Sequence, residues 1–139
     1  MKRLALTALA FCLVPAAAFA GAARHDRGKH EEPKRDRTML HVDLPTRIEQ
    51  RCNARAMGEV SRQHADMRPE EVVAYAFGDP KPGPASVTAP GAAVRSRGHW
   101  YRLSYHCRTS PDGMDVVDFG FELGSEVPRQ DWAAHSLVP

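Results

Sequence analysis

The chain has 139 residues, of which 19 are basic, 17 acidic, 42% hydrophobic and three cysteine. That length suits one domain with a single core. The near balance of charge, +2 overall, argues against a nucleic-acid partner, which calls for a basic domain with Lys and Arg clustered on one face.

Residues 1–20 read as a secretory signal. Lys2 and Arg3 form the positive start, residues 4–14 are an apolar run too short to span and anchor, and Ala18-Phe19-Ala20 is a small-x-small cleavage site. Pro15 and the small residues behind it oppose a retained anchor, and Phe11 before Cys12 does not match a lipidated cysteine. Cleavage after Ala20 removes Lys2 and Arg3 and leaves 17 basic against 17 acidic residues, a neutral mature chain. The expected destination is periplasmic or secreted, with no stable membrane insertion once the signal is gone.

Residues 21–38 are expected to be a disordered charged linker. Six basic and four acidic residues fall within 21–37, with no aliphatic side chain larger than Ala to offset the entropy of ordering. His25 and His30 lie here without the fixed geometry a metal site needs.

A single domain is expected over 39–139. Asp43 is a candidate N-cap and Pro45 falls in the first turn, so a helix should run from there to about Gln63. Leu44, Ile48, Cys52, Ala56 and Val60 recur every fourth residue and form its apolar stripe, with Met57 beside them. Arg47, Glu49, Arg51, Arg55, Glu59 and Arg62 are expected on a solvated face, and Gly58 weakens the helix interior.

Residues 71–77 alternate Val73, Tyr75 and Phe77 with other side chains and read as a strand, with a short helix as the alternative. Residues 78–90 contain Pro80, Pro82, Pro84 and Pro90 and are expected to be a connection outside any sheet interior. A short strand over 92–96 then turns at Arg97-Gly98-His99 into a longer strand. In it, Tyr101, Leu103, Tyr105 and Cys107 face one side, while Trp100, Arg102, Ser104, His106 and Arg108 face the other. Residues 109–113 supply Pro111, Asp112 and Gly113 for a reversal. The following strand sets Asp115, Val117, Phe119, Phe121 and Leu123 on one face. Pro128 opens a short C-terminal helix in which Trp132, with Leu137 beyond it, packs back on the sheet. The expected fold is α+β: a long N-terminal helix on a small antiparallel sheet of about four strands in a meander, closed by a short helix.

Of the three cysteines, Cys12 leaves with the signal. Cys52 and Cys107 then form the remaining pair, and export favours a disulfide between helix and sheet. The alternatives are two separate buried thiols or a redox pair, the latter lacking Cys-x-x-Cys spacing.

Four pieces carry a family resemblance: 47–52 (RIEQRC), 72–77 (VVAYAF), 89–107 (APGAAVRSRGHWYRLSYHC) and the close 124–132 (GSEVPRQDW). Together they resemble the domain of unknown function 930 family of exported alphaproteobacterial proteins, with Val127 where that family has Ile. The resemblance implies a secreted or periplasmic single domain with both cysteines at matching positions. It implies no activity.

The residues themselves point to a non-catalytic cell-envelope binding or accessory protein. Arg95, Arg97, Trp100, Arg102, His106 and Arg108 are the candidate ligand-binding set, a cationic and aromatic sheet face for an anionic or glycan-like envelope component. The opposing interpretation is a solvated face whose arginines pair with Asp115, Asp118 and Glu122. An accessory protein offering an edge strand to a partner is a further class. A small hydrolase is the least supported, because Ser96, Ser104 and Ser110 have no nucleophile-elbow context and Ser104 and His106 point outward in parallel. His99 and His106 fall on opposite faces and make a poor metal pair, and no zinc, P-loop or dinucleotide pattern occurs, so no cofactor is expected.

Overall fold

Asp43 starts the helix as its sequence position suggests: its carboxylate accepts a hydrogen bond from the Thr46 N–H at 3.1 Å, with Pro45 in the first turn. The computed structural model describes residues 37–139; the expected signal segment, 1–20, and linker residues 21–36 lie outside the described residues. A 3-10 turn, Arg37–His41, leads into α1, Leu44–Gln63. Ile48, Cys52, Ala56 and Val60 are buried along one stripe, and Gly58 sits on the open side with nothing near its Cβ position.

Arg47, Arg51 and Arg55 of α1 depart from the solvated face expected of them, while Arg62 is exposed and paired with Glu59 as expected. Arg47 is only 9% exposed and donates to the carbonyls of Met39 (2.7 Å), Asp112 (2.6 Å), Leu40 (3.0 Å) and Val42 (2.6 Å). Arg51 donates to Met114 O at 2.8 Å and Arg55 to Val116 O at 3.5 Å. Arginines at positions 47, 51 and 55, one helical turn apart, thus meet the carbonyls of residues 112, 114 and 116 in the turn before β5 and at its start.

The strands are β1 (Pro69–Val73), β2 (Lys81–Gly83), β3 (Ser86–Ser96), β4 (His99–Thr109) and β5 (Val116–Glu126). They form one antiparallel sheet of order β1-β3-β4-β5, with β2 also paired to β3. The α+β class and the meander hold, while the strand count is five among the described residues rather than about four. Two expectations change for the same reason: the strand expected over 92–96 begins at Ser86, and residues 78–90 are not all connection. The Pro-rich stretch 78–90 does enter the sheet: Pro82 lies in the edge strand β2 and Pro90 at the register shift between Ala89 and Ala92 of β3. Those are the places where a missing N–H is tolerated. At the same shift β3 changes partner from β2 to β1, and Phe77 N donates to Gly91 O at 2.6 Å. A Cβ at Gly91 would lie 2.5 Å from the Phe77 carbonyl carbon, so the crossing strand requires glycine.

The shift also changes which residues face α1. Val87 and Ala89 before it and Ala92 and Val94 after it all join the helix-side core, with Leu103, Tyr105 and Cys107 of β4. Strand β1 ends at Val73, and the expected strand continuation to Phe77 is a turn in which Tyr75 is 56% exposed. The β3–β4 hairpin turns through Arg97 and Gly98 at φ 52 and 77, the doubly positive pair that a two-residue loop demands. In β5, Phe119, Phe121 and Leu123 face the core as expected, but Val117 is 53% exposed. The cause is a shift opposite Arg108 and Thr109 that inserts an extra residue and turns Val116 inward instead.

On the opposite face of the sheet Val73, Ala76, Ala93, Trp100, Val127, Trp132 and Leu137 form a second buried cluster. The expected C-terminal helix is a pair of 3-10 turns, Arg129–Asp131 and Ala133–His135. Trp132 and Leu137 pack back as anticipated.

Candidate functional site

Cys52 and Cys107 form a disulfide, with Cα atoms 5.9 Å apart. Both are buried, and the bond fixes the middle of α1 to the C-terminal part of β4. Beside it Tyr105 donates its hydroxyl to Asn53 Oδ1 at 2.7 Å. Burial, and then the charge of Glu49, pushes the Tyr105 phenol well above its ordinary range.

The outer face of the sheet carries the six candidate ligand residues, and the structure separates them. Trp100 is fully buried, 0% exposed, and its indole N–H donates to Val138 O at 2.8 Å. It therefore offers no ring to a ligand; the C-terminal tail covers it, which the alternation of β4 alone does not reveal. Arg97 occupies the exposed hairpin turn. Arg95 lies opposite Trp100 and pairs with Glu70 at 3.5 Å, without a well-formed hydrogen bond at its buried Nε. Arg102, His106 and Arg108 share the exposed face of β4, but six strand positions place Arg102 and Arg108 ~20 Å apart.

Acids interleave with them. The register sets Asp118 opposite Arg108 and Glu122 opposite Ser104, and Asp118 stands 4.0 Å from His106 Nε2; Glu126, opposite Tyr101, bonds His99 Nδ1 at 2.7 Å on the helix-facing side. The face is mixed in sign. Arg102 is organised on it by an aromatic side chain, its guanidinium lying over the Phe77 ring at 3.8 Å; the ring in turn packs on His135 at 4.0 Å. Sequence reading placed Phe77 in a strand and so missed it as the aromatic partner of this face.

Two further surfaces stand out. Strand β5 ends the sheet order, so the outer side of its eleven residues is unpaired among the described residues. On the helix side, a groove of about 460 Å³ opens between the first turns of α1 and the Pro-rich β2–β3 hairpin, floored by Leu44, Ile48 and Val87.

Residues 39–137 match the family described as Domain of Unknown Function (DUF930). The chain belongs to this family. No curated protein and no solved structure matches the chain. The DUF930 match thus covers α1, all five strands and both cysteines, the same elements that carry the surfaces above. Among the described residues no helix is long and apolar enough to cross a membrane, and no group of three or more His, Cys, Asp or Glu side chains assembles for a metal ion.

Proposed function

We propose that this DUF930 protein is an exported, non-catalytic accessory domain of the cell envelope that binds a partner along the open edge of β5. The observation that carries the reading is that edge: eleven residues, Val116–Glu126, with no strand on their outer side among the described residues. Unpaired N–H and C=O groups in a row are a template for an added strand. Phe119, Phe121 and Leu123 are only half-buried on its inner face, while Asp118 and Glu122 supply acids on the other. The partner segment that fits alternates apolar and basic residues. Export is supported by the signal pattern in residues 1–20 and by the disulfide, which persists in oxidising compartments.

The test is photo-crosslinking in intact cells from a reactive residue at Val117, with intact mass of the recovered chain. A chain starting at Gly21, oxidised, and joined to a discrete partner that is lost on Asp118→Lys and Glu122→Lys is the expected result. Uncrosslinked monomer alone, or a chain retaining residues 1–20, overturns the reading.

One observation favours a second reading, recognition of an anionic envelope component at Arg102. Its guanidinium is held flat by Phe77, leaving the N–H fork free to face a carboxylate or phosphate. Salt-sensitive binding abolished by Arg102→Ala with Arg108→Ala supports it, and binding unchanged in that double variant removes it.

A further inference from the structure

The groove between α1 and the β2–β3 hairpin has the features of a small-molecule site separate from both β5 and the Arg102 face. Its volume, about 460 Å³, lies in the range of ligand pockets. Ile48 and Val87 on its floor belong to the helix-side core, and each is tied to the disulfide: Ile48 is one helical turn before Cys52, and Val87 pairs with Cys107 across the strands. Pro80 and Pro82 form the facing wall. Proline fixes φ, so this wall is pre-formed and binding does not have to order it.

Glu49 is the sole charged residue lining the groove. Among the described residues no hydrogen bond or ion pair engages its carboxylate, whereas the neighbouring acids of α1 and its cap are occupied: Asp43 by the Thr46 N–H and Glu59 by Arg55 and Arg62. The positive end of the α1 dipole, which would otherwise attract an anion, is already met by Asp43. What remains is an apolar trough with one unmatched negative charge. We infer that the groove binds an aliphatic amine, its chain on Leu44, Ile48 and Val87 and its ammonium on Glu49.

The experiment titrates the oxidised domain with n-octylammonium, n-octanol and n-octanoate and follows the methyl resonances of Leu44, Ile48 and Val87. All three probes share one chain length, so only the head group differs. Octylammonium is expected to bind about fivefold tighter than octanol, the scale of one partly solvated ion pair, and octanoate more weakly than either. Glu49→Gln should bring octylammonium to the affinity of octanol and leave octanol unchanged, and Glu49→Lys should reverse the order of octylammonium and octanoate. The inference is overturned if the three probes bind alike, if the shifts fall outside the groove, if none appear, or if Glu49→Gln leaves the preference intact. None of these readouts involves β5, so the accessory reading stands or falls separately.

Discussion

The two faces of one sheet solve the same burial problem by different means. On the helix side, a long amphipathic stripe meets β1, β3, β4 and β5, and a disulfide joins the two layers. On the other side there is, among the described residues, no helix of comparable length and no covalent bond; two 3-10 turns and a tail lay Trp132 and Leu137 over Trp100. That second cluster is held by its own polar ends, with Trp100 donating to Val138 O and Trp132 to Val127 O. A periodic element can bury a face by pattern, whereas an irregular one needs specific partners for each buried N–H.

The comparison breaks most sharply at Trp100. Trp100→Ala should cost about 3–5 kcal/mol by urea denaturation, since it empties the centre of a cluster built from tail residues. The tail beyond Val127 should then become protease-sensitive while the helix side stays folded. Next in size is the staple. Cys52→Ala with Cys107→Ala should cost roughly 4 kcal/mol, because the bond closes a loop of sequence separation 55. If reduction of the native protein changes stability by much less than that, the helix-side core is not stapled in the way described.

Arg47 sharpens the contrast at a smaller scale. Arg47→Leu should cost about 2–3 kcal/mol, because four backbone carbonyls lose their charged donor. Arg62→Leu, with its head on the exposed surface near Glu59, should change stability by less than about 1 kcal/mol. The difference also marks where sequence reading stops. The stripe Ile48, Cys52, Ala56, Val60 is legible because helical period and apolar chemistry coincide, and so are the Arg97-Gly98 turn and the inward run Leu103, Tyr105, Cys107. Arg47 is not, since a charged residue beside the stripe reads as solvated until the loop at Asp112 and Met114 is known to lie above it. Trp100 fails for the same reason in reverse: its same-face neighbours in the strand are polar, and the C-terminal residues that bury it, Val127, Trp132 and Leu137, are 27 to 37 residues away in sequence. The alternation of β3 was hidden by the shift at Pro90 and Gly91, which moves the inward positions from odd to even numbers. The groove at Glu49 depends on segments some thirty-five residues apart, and no local pattern announces it.

A pH dependence that appears only above neutrality is expected from the helix side. Tyr105 lies in that core with its phenol raised by burial and by Glu49. Below about pH 10 the phenol is protonated in both the folded and the unfolded chain and does not make stability pH-dependent; above it the unfolded phenol ionises while the buried one does not. Folding stability should therefore fall as pH rises past 10, by up to about 1.4 kcal/mol per unit from this group. Tyr105→Phe should flatten that fall, at the cost near neutral pH of the hydrogen bond to Asn53. Denaturation midpoints from pH 8 to 11 on the two chains decide it: a slope that survives Tyr105→Phe would place the alkaline sensitivity elsewhere and would show that the phenol beside the disulfide is less secluded than its contacts require.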